Sequence, residues 1–217
     1  MPTQASVGAL QPSAWRPGDS DLMMVHGVAW RPAVLNPVAS FRAGGVPPLG
    51  GSHSDAIIGP VTQHDDWMKL AVEQARAGIA TGQSPFGAVV VRGDELVAGG
   101  HNEVWQRCDP TAHAEMVCIQ NAAARRRSID LSGCRMYTTC EPCPMCAAAI
   151  HWCKLDEVFY GATIADAEQA GFSELIVPAV ELYRQGGSPV RIHSGILTPP
   201  CAALFKEWLA RADHRSY

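Results

Sequence analysis

Two short segments, thirty residues apart, constrain the fold of this chain most strongly. The first is His113-Ala114-Glu115 and the second is Pro142-Cys143-Pro144-Met145-Cys146. One imidazole and two thiolates suit zinc, and three protein ligands leave the fourth tetrahedral position open to a reactive water. The fold must therefore bring these two segments together, and the site they form is typical of hydrolytic chemistry.

Glu115 is the candidate proton-transfer group of this site. It lies two residues from His113 and is not needed as a ligand, so it can move protons beside the metal. Both segments lie at predicted helix N-termini, whose partial positive charge favours thiolates and hydroxide. The i, i+3 spacing of Cys143 and Cys146 places their sulfurs on one helix face.

Two structural readings of these residues remain open. A C-x-x-C pair alone is often a redox pair or half of a structural zinc site. Cys140 could join Cys143, Cys146 and His113 in a closed Cys₃His site without a reactive position. Against this, Cys140 ends a predicted strand and Pro142 bends the chain after it. A closed site would also leave Glu115 without a role.

Residues 1–62 differ from the rest of the chain. They contain eight Pro and eight Gly, a composition that predicts a disordered N-terminal extension. Residues 22–34 could instead fold onto the surface of the domain. We expect residues 63–217 to form the zinc-containing domain.

Charge and composition exclude several classes of protein. The formal net charge is −4, so no overall positive field favours nucleic acid. No apolar run is long enough to predict a membrane span, and the N-terminus does not resemble a secretory signal. The chain contains eight Cys without such a signal, which favours free thiols in a reducing compartment, and we expect the cytoplasm.

Helical and strand patterns alternate from Asp65 onwards. Helices are predicted at about 65–81, 112–127, 143–153, 165–170 and 200–212, and strands at 87–91, 95–99, 135–139, 157–161 and 190–193. Strands that alternate with helices after an opening hairpin predict an α/β fold. We expect a three-layer α/β/α sandwich around a mixed five-stranded sheet.

The motifs support a resemblance to a known family. The chain resembles the cytidine-deaminase-like superfamily of zinc deaminases and, within it, the bacterial guanine deaminases. The resemblance runs from about Asp65 to the C-terminus. It rests on segments that occur in the same order, namely 85–89, 101–102, 109–115, 140–146, 149–152 and 170–174.

The resemblance also implies substrate contacts. Phe86 would stack on a purine and Asn102 would hydrogen-bond to the edge of the base, although these residues could also be a core aromatic and a turn residue. Trp152 would form a wall of the pocket, with core packing as the structural alternative. Glu174 would be a second acid that contacts the substrate, although Ser173-Glu174 replaces the paired acids often seen there.

The C-terminal Tyr217 has a further implied role. Related guanine deaminases are homodimers that exchange their C-terminal segments, and a terminal Tyr can enter the site of the partner. Chain ends are usually frayed, which is the ordinary alternative. The resemblance therefore implies a homodimer with an exchanged tail.

The resemblance implies a hydrolase of purine and nucleobase catabolism, converting guanine and water to xanthine and ammonia. Water would attack C2, and Glu115 would pass its proton to N3 and then to the departing amine. Guanosine, adenosine in transfer RNA, cytosine and triazines are alternative substrates. A zinc-stabilised binding module without catalysis is the alternative from another class, and it would have no use for Glu115.

Overall fold

The computed structural model describes residues 63–217 and two short strands that precede them. Strand β1 (Met23–Val25) pairs antiparallel with β2 (Val28–Trp30). The chain divides into two compact units, Met1–Ser54 and Asp55–Tyr217. We predicted that residues 1–62 form a disordered extension or that residues 22–34 pack on the domain. Apart from strands β1 and β2, both predictions concern residues outside those that the structure describes.

Helix α1 (Gln63–Ala80) opens the larger unit. Asp65 and Asp66 lie in its first turn, where acidic side chains favour the helix dipole. Met68, Ala71 and Ala75 are buried on the face that packs against the sheet. The helix therefore forms where the sequence predicts it, with its apolar face inward.

The central sheet has five strands in the order β4-β3-β5-β6-β7. Strand β3 pairs antiparallel with both β4 and β5, whereas β5, β6 and β7 run parallel. The sheet is therefore mixed, and the carboxyl ends of β4, β5, β6 and β7 meet at one edge. The strands are β3 (Gly87–Arg92), β4 (Glu95–His101), β5 (Arg135–Cys140), β6 (Glu157–Ala162) and β7 (Arg191–His193).

Helices cover both faces of the sheet. Helix α1 packs with α7 on one face, and α3 packs with α4 on the other. After α1, the helices are α2 (Val104–Arg107), α3 (Ala114–Arg126), α4 (Pro144–Trp152), α5 (Ile164–Gln169), α6 (Ala179–Gly186) and α7 (Thr198–Leu209). The prediction of a three-layer α/β/α sandwich with a mixed five-stranded sheet is confirmed.

Two glycines allow the helices to approach the sheet closely. A Cβ atom at Gly87 would lie 2.3 Å from the carbonyl oxygen of Ala71 in α1. A Cβ atom at Gly100 would lie 2.8 Å from the backbone nitrogen of Cys118 in α3. Glycine at these positions therefore sets the depth at which α1 and α3 pack.

Two helices do not follow from the predicted pattern. Helix α2 spans only four residues, and α6 lies in a stretch without an earlier assignment. Pro178 before α6 and Gly187 after it are sequence signals that bracket this helix. In the part of the chain that the structure describes, no helix is long and apolar enough to cross a membrane.

Candidate active site

The two motif segments meet at the carboxyl edge of the sheet. The Nδ1 atom of His113 lies 3.7 Å from the Sγ atoms of both Cys143 and Cys146. Zinc bonds of about 2.0 Å to nitrogen and 2.3 Å to sulfur give tetrahedral N···S separations of roughly 3.6 Å. The three buried side chains therefore have the identity and spacing that a zinc ion requires.

Helix N-termini position the ligand atoms. His113 is the N-cap of α3 and Cys143 is the N-cap of α4, each with extended backbone before the helix begins. Pro144 occupies the start of α4, where its missing N–H costs nothing. Asp109 holds the loop before His113, because its carboxylate accepts hydrogen bonds from the backbone and hydroxyl of Thr111.

The two ligand thiols differ in acidity. A hydrogen bond between them lowers the pKa of Cys143 to about 4 and raises the pKa of Cys146 well above its usual value. Burial opposes protonation of His113, but the adjacent Cys143 and Glu115 outweigh it and raise the pKa of the imidazole.

Glu115 is buried beside the ligand group, with 5% of its surface exposed. Its Oε2 atom lies 3.6 Å from Cys146 Sγ, and its Oε1 atom accepts a hydrogen bond of 3.2 Å from the Thr138 hydroxyl. Burial, reinforced by the Cys143 thiolate, raises the pKa of Glu115 to about 7. A carboxyl with this pKa can both accept and release a proton near neutral pH.

A small cavity opens onto the ligand group. Its volume is about 10 Å³, and its lining residues are Phe86, His113, Glu115, Cys140, Glu141, Cys143 and Glu174. Burial, with Cys143 nearby, raises the pKa of the Glu174 carboxyl. Phe86 packs edge-on against Phe172 at 4.9 Å between centroids, so it is a core aromatic that also faces the cavity.

Cys140 does not join the ligand group. The close set of ligand atoms consists of His113, Cys143 and Cys146, and the Cys140 thiol donates instead to the carbonyl oxygen of Thr163 at 3.4 Å. Burial raises the pKa of the Cys140 thiol well above its usual value. The geometry therefore gives no support to a closed Cys₃His site.

Asn102 and Tyr217 meet above the ligands. Asn102 is fully buried, and its Nδ2 atom donates to the Tyr217 hydroxyl at 2.7 Å while its Oδ1 atom accepts from the Val104 backbone. The Tyr217 ring lies 5.6 Å from the His113 ring. In this single chain, Tyr217 thus lies over the site of its own chain.

The rest of the C-terminal tail is also held in place. The guanidinium of Arg215 lies 4.1 Å from the centre of the Trp105 ring, a cation–π contact. The carbonyl oxygen of Tyr217 accepts a hydrogen bond of 3.0 Å from the backbone of Ser173, next to Glu174. These contacts connect the tail to both sides of the cavity.

In the single chain Trp152 does not line this cavity, and its role as a wall of the pocket stays a prediction. Trp152 is the last residue of α4 and is 76% exposed. It follows Cys146 by six residues, which is about 9 Å along a helix. Trp152 lines a surface groove with Lys154 and Arg191 instead.

Sequence reasoning did not identify several side chains around the site. Thr138 contacts Glu115, Glu141 accepts from the backbone of Ala179, and Trp105 holds the tail. Thr138 lies two residues before the end of a strand that leads into the Cys motif, which is a usable positional signal. For Trp105 and Arg215 there is none, because their contact joins distant parts of the chain.

Comparison with known proteins identifies the family. The family model described as cytidine and deoxycytidylate deaminase zinc-binding region matches residues 61–162. This chain is 43% identical over 115 residues to a guanine deaminase of Bacillus subtilis, covering 52% of this chain and 74% of that one. The chain belongs to the cytidine and deoxycytidylate deaminase family.

Two other proteins are also similar to this chain. A tRNA-specific adenosine deaminase of Aquifex aeolicus is 38% identical over 96 residues, which cover 44% of this chain and 64% of that one. The solved guanine deaminase of Nitrosomonas europaea superimposes with a TM-score of 0.65 at 27% identity, covering 74% of this chain and all of that chain. The cytidine-deaminase-like fold expected from the motifs is therefore confirmed.

The family of this chain and the geometry of its His/Cys/Cys group indicate the same chemistry. The chain is a zinc-dependent deaminase, a hydrolase that acts on cyclic amidines. Its cofactor is Zn²⁺, in keeping with the zinc-binding family region and the His/Cys/Cys group. These findings do not favour a zinc-stabilised module without catalysis.

Proposed function

We propose that this enzyme converts guanine and water to xanthine and ammonia. The observation that carries the proposal is the second acid, Glu174, which lines the same small cavity as His113, Glu115 and Cys143. Similarity to the guanine deaminase of Bacillus subtilis adds support. The assignment explains why a carboxylate beyond the proton-transfer group faces the site.

In this proposal, His113 Nδ1 and the sulfurs of Cys143 and Cys146 hold the zinc ion. Bound there, zinc makes a water-derived nucleophile available at neutral pH. Cys143 and Cys146 would both hold the ion as thiolates, because the thiolate is the form that ligates a metal. The N-termini of α3 and α4 favour the resulting negative charge.

Glu115 moves the protons. Its Oε2 atom faces the ligand group, within reach of a water or of a base bound beside it. The carboxylate takes one proton from the attacking water and delivers it to N3 of guanine. It then takes the second proton from the hydroxyl group now on C2 and gives it to the amino group, so that ammonia leaves and C2 becomes a carbonyl. One carboxyl therefore serves as base and acid in turn, which its pKa of about 7 permits.

Guanine recognition is assigned to three side chains. Guanine presents N1–H and an exocyclic amino group, both donors, which an acceptor such as the Glu174 carboxylate can bind. The Asn102 amide is hydrogen-bonded to the Tyr217 hydroxyl and to the Val104 backbone, so its Nδ2 donor reaches the base edge when Tyr217 moves away. Phe86 lines the cavity with an apolar ring. A base without matching donors leaves Glu174 unpaired, and that penalty discriminates strongly.

The other substrates fit these contacts less well. Adenine presents an acceptor at ring N1, where the Glu174 carboxylate requires a donor. Transfer RNA would have to reach a site beside the Tyr217 ring in a chain whose formal net charge is −4. Guanosine carries the same donors as guanine but needs additional room for its ribose.

We further propose that the enzyme is a homodimer located in the cytoplasm. Leu175, Ile176 and Val180 are exposed around the loop that carries Glu174, and apolar clusters of this kind often mark interfaces. The tail contacts with Asn102 and Trp105 are those that a partner's tail would make in an exchanged dimer. Eight free thiols fit a reducing compartment.

The proposal is tested by ammonia release from purified zinc protein. Guanine, guanosine, cytosine, cytidine and adenosine are compared at equal concentration, with a transfer RNA substrate assayed for inosine. We expect guanine to give the highest kcat/KM. Preferred turnover of another base, of a nucleoside or of the RNA would overturn the substrate assignment and leave the deaminase chemistry intact.

A further inference from the structure

We propose that Thr138 is a positioning residue that orients the carboxylate of Glu115 for proton transfer. The inference rests on the role given to Glu115 in the proposed function. The Thr138 hydroxyl donates to Glu115 Oε1 at 3.2 Å, and both side chains are buried. Among the described residues, the side-chain hydrogen bond of Thr138 goes to Glu115 and not to His113, Cys143 or Cys146.

The hydrogen bond distinguishes the two oxygens of the carboxylate. Oε1 faces the sheet and accepts from Thr138, whereas Oε2 faces the ligand group, 3.6 Å from Cys146 Sγ. The terminal torsion of a Glu side chain is broad and roughly two-fold, so rotamer preference alone does not fix the plane of the carboxylate. The Thr138 hydroxyl fixes that plane and leaves Oε2 for proton transfer.

Thr138 is itself rigidly held. It lies in β5, where its backbone pairs with Ala88 of β3 on one side and with Tyr160 of β6 on the other. Its β-branched side chain has few rotamers. A donor with so little freedom can hold its acceptor within the few tenths of an ångström that proton transfer requires.

The next residue provides a matched control. Side chains alternate along a strand, so Thr139 points to the opposite face of β5. Its buried hydroxyl accepts a hydrogen bond of 3.1 Å from the backbone of Gly87. Thr138→Val and Thr139→Val therefore remove the same group from neighbouring positions, but only the first removes a contact with Glu115.

The test compares wild type, Thr138→Val, Thr138→Ser and Thr139→Val for kcat, KM, zinc content and melting temperature. For Thr138→Val we expect kcat to fall by about 10- to 100-fold, the usual effect of losing an orienting partner, with KM and zinc content close to wild type. Thr138→Ser keeps the hydroxyl and should recover most of kcat. Thr139→Val should lower the melting temperature with little change in kcat.

A second measurement does not depend on turnover. Crystal structures of the zinc-loaded variants should show the Glu115 carboxylate rotated or in several orientations in Thr138→Val and in one orientation in Thr138→Ser. A single unchanged orientation in Thr138→Val, or a kcat within about twofold of wild type, overturns the proposal. An equal loss of kcat in Thr139→Val does the same, since it would indicate a general effect on β5.

Failure of this inference can be told apart from failure of the proposed function. Wild type is assayed in parallel on guanine and on the other candidate substrates. If wild type prefers another substrate, the guanine assignment fails, and the four proteins are compared on that substrate. The orientation of the Glu115 carboxylate is then judged by the same kinetic and crystallographic results.

Discussion

Glu115 combines burial with a position that faces the ligand group. Only 5% of its surface is exposed, and its Oε2 atom lies 3.6 Å from Cys146 Sγ. Desolvation is the largest cause of its raised pKa, so the protein stabilises the neutral form that a proton donor needs. A ligand role would have required an ionised carboxylate instead.

Replacing Glu115 with Gln tests this function directly. Gln keeps the size of the side chain but cannot carry the proton, so turnover should fall by at least the 10²–10⁴-fold that acid–base catalysis typically contributes. Zinc content should stay at wild-type level, because Glu115 lies outside the ligand group. Ammonia release and metal analysis measure the two effects. Turnover within about tenfold of wild type would contradict the proton-transfer role.

Glu174 is predicted to control the choice of base. Glu174→Gln replaces a charged acceptor with a neutral amide, and hydrogen bonds to charged groups are worth about 1.5–3 kcal/mol. We therefore expect kcat/KM for guanine to fall by about 10- to 100-fold at unchanged zinc content. Glu168→Gln removes an exposed acid from α5 and should change nothing. Equal kinetics for the two variants would exclude substrate contact by Glu174.

The sequence predicts the ligands of this site better than its surroundings. His113, Cys143 and Cys146 were identifiable because helix starts and short spacings place them within local segments. Trp152 lies away from the cavity of its own chain, because closeness to a motif in sequence does not mean closeness in space at the far end of a helix. Thr138 and Trp105 act through contacts that only tertiary packing creates.

At the scale of elements, the depth of α3 controls the site. Its N-terminus carries His113 and Glu115, and it packs against β4 where Gly100 leaves space. An added Cβ at Gly100 would also lie 3.1 Å from the carbonyl oxygen of Ala114, the residue after His113. A shift of this helix would therefore move His113 and the proposed proton-transfer group, Glu115, together.

We expect Gly100→Ala to reduce both stability and zinc affinity. Overpacking of a close contact costs about 1–3 kcal/mol of unfolding free energy. Gly186→Ala is the control, because a Cβ there has no neighbour within 4 Å and Ala favours a helix. Thermal unfolding and competition with a zinc chelator measure the two quantities. Wild-type zinc affinity in a folded Gly100→Ala protein would show that α3 does not transmit the change.

The tail is the element that lies beside the candidate ligands, with the Tyr217 ring 5.6 Å from the His113 ring. The cavity volume of about 10 Å³ is far below the several hundred Å³ of usual ligand pockets, so the residues around the cavity must move when a base enters. Deleting residues 212–217 removes Tyr217 from Asn102 and should lower activity sharply, because the site then opens to water. Activity equal to that of wild type would show that the tail takes no part.

A single substitution tests how the tail is held. Arg215→Ala removes a cation–π contact of about 0.5–1 kcal/mol, and we expect kcat/KM to fall by about two- to fivefold. Lys206→Ala removes an exposed cation from α7 and provides the control. Steady-state kinetics on guanine measures the effect. A larger loss in the control would mean that overall charge, and not the Trp105 contact, is responsible.

At the scale of the whole molecule, alternating strands and helices made the fold predictable. The central strands β3 and β5 bury both faces under helices, so period and order along the chain largely determine the layers. The sequence does not determine which chain of a dimer supplies the tail over a given site. Tail exchange conserves every local contact, and neither composition nor periodicity distinguishes Tyr217 of the same chain from Tyr217 of another.

Mixing two inactive variants decides where the tail comes from. One protein carries Glu115→Gln with an intact tail, and the other keeps Glu115 but lacks residues 212–217. Because Tyr217 lies over the site of its own chain, we expect the pair to stay inactive after joint refolding with zinc. In an exchanged dimer, the first chain would instead supply a tail to the intact Glu115 of the second. Recovered ammonia release in the mixture would therefore show exchange between subunits, and refolded wild type establishes that the procedure preserves activity.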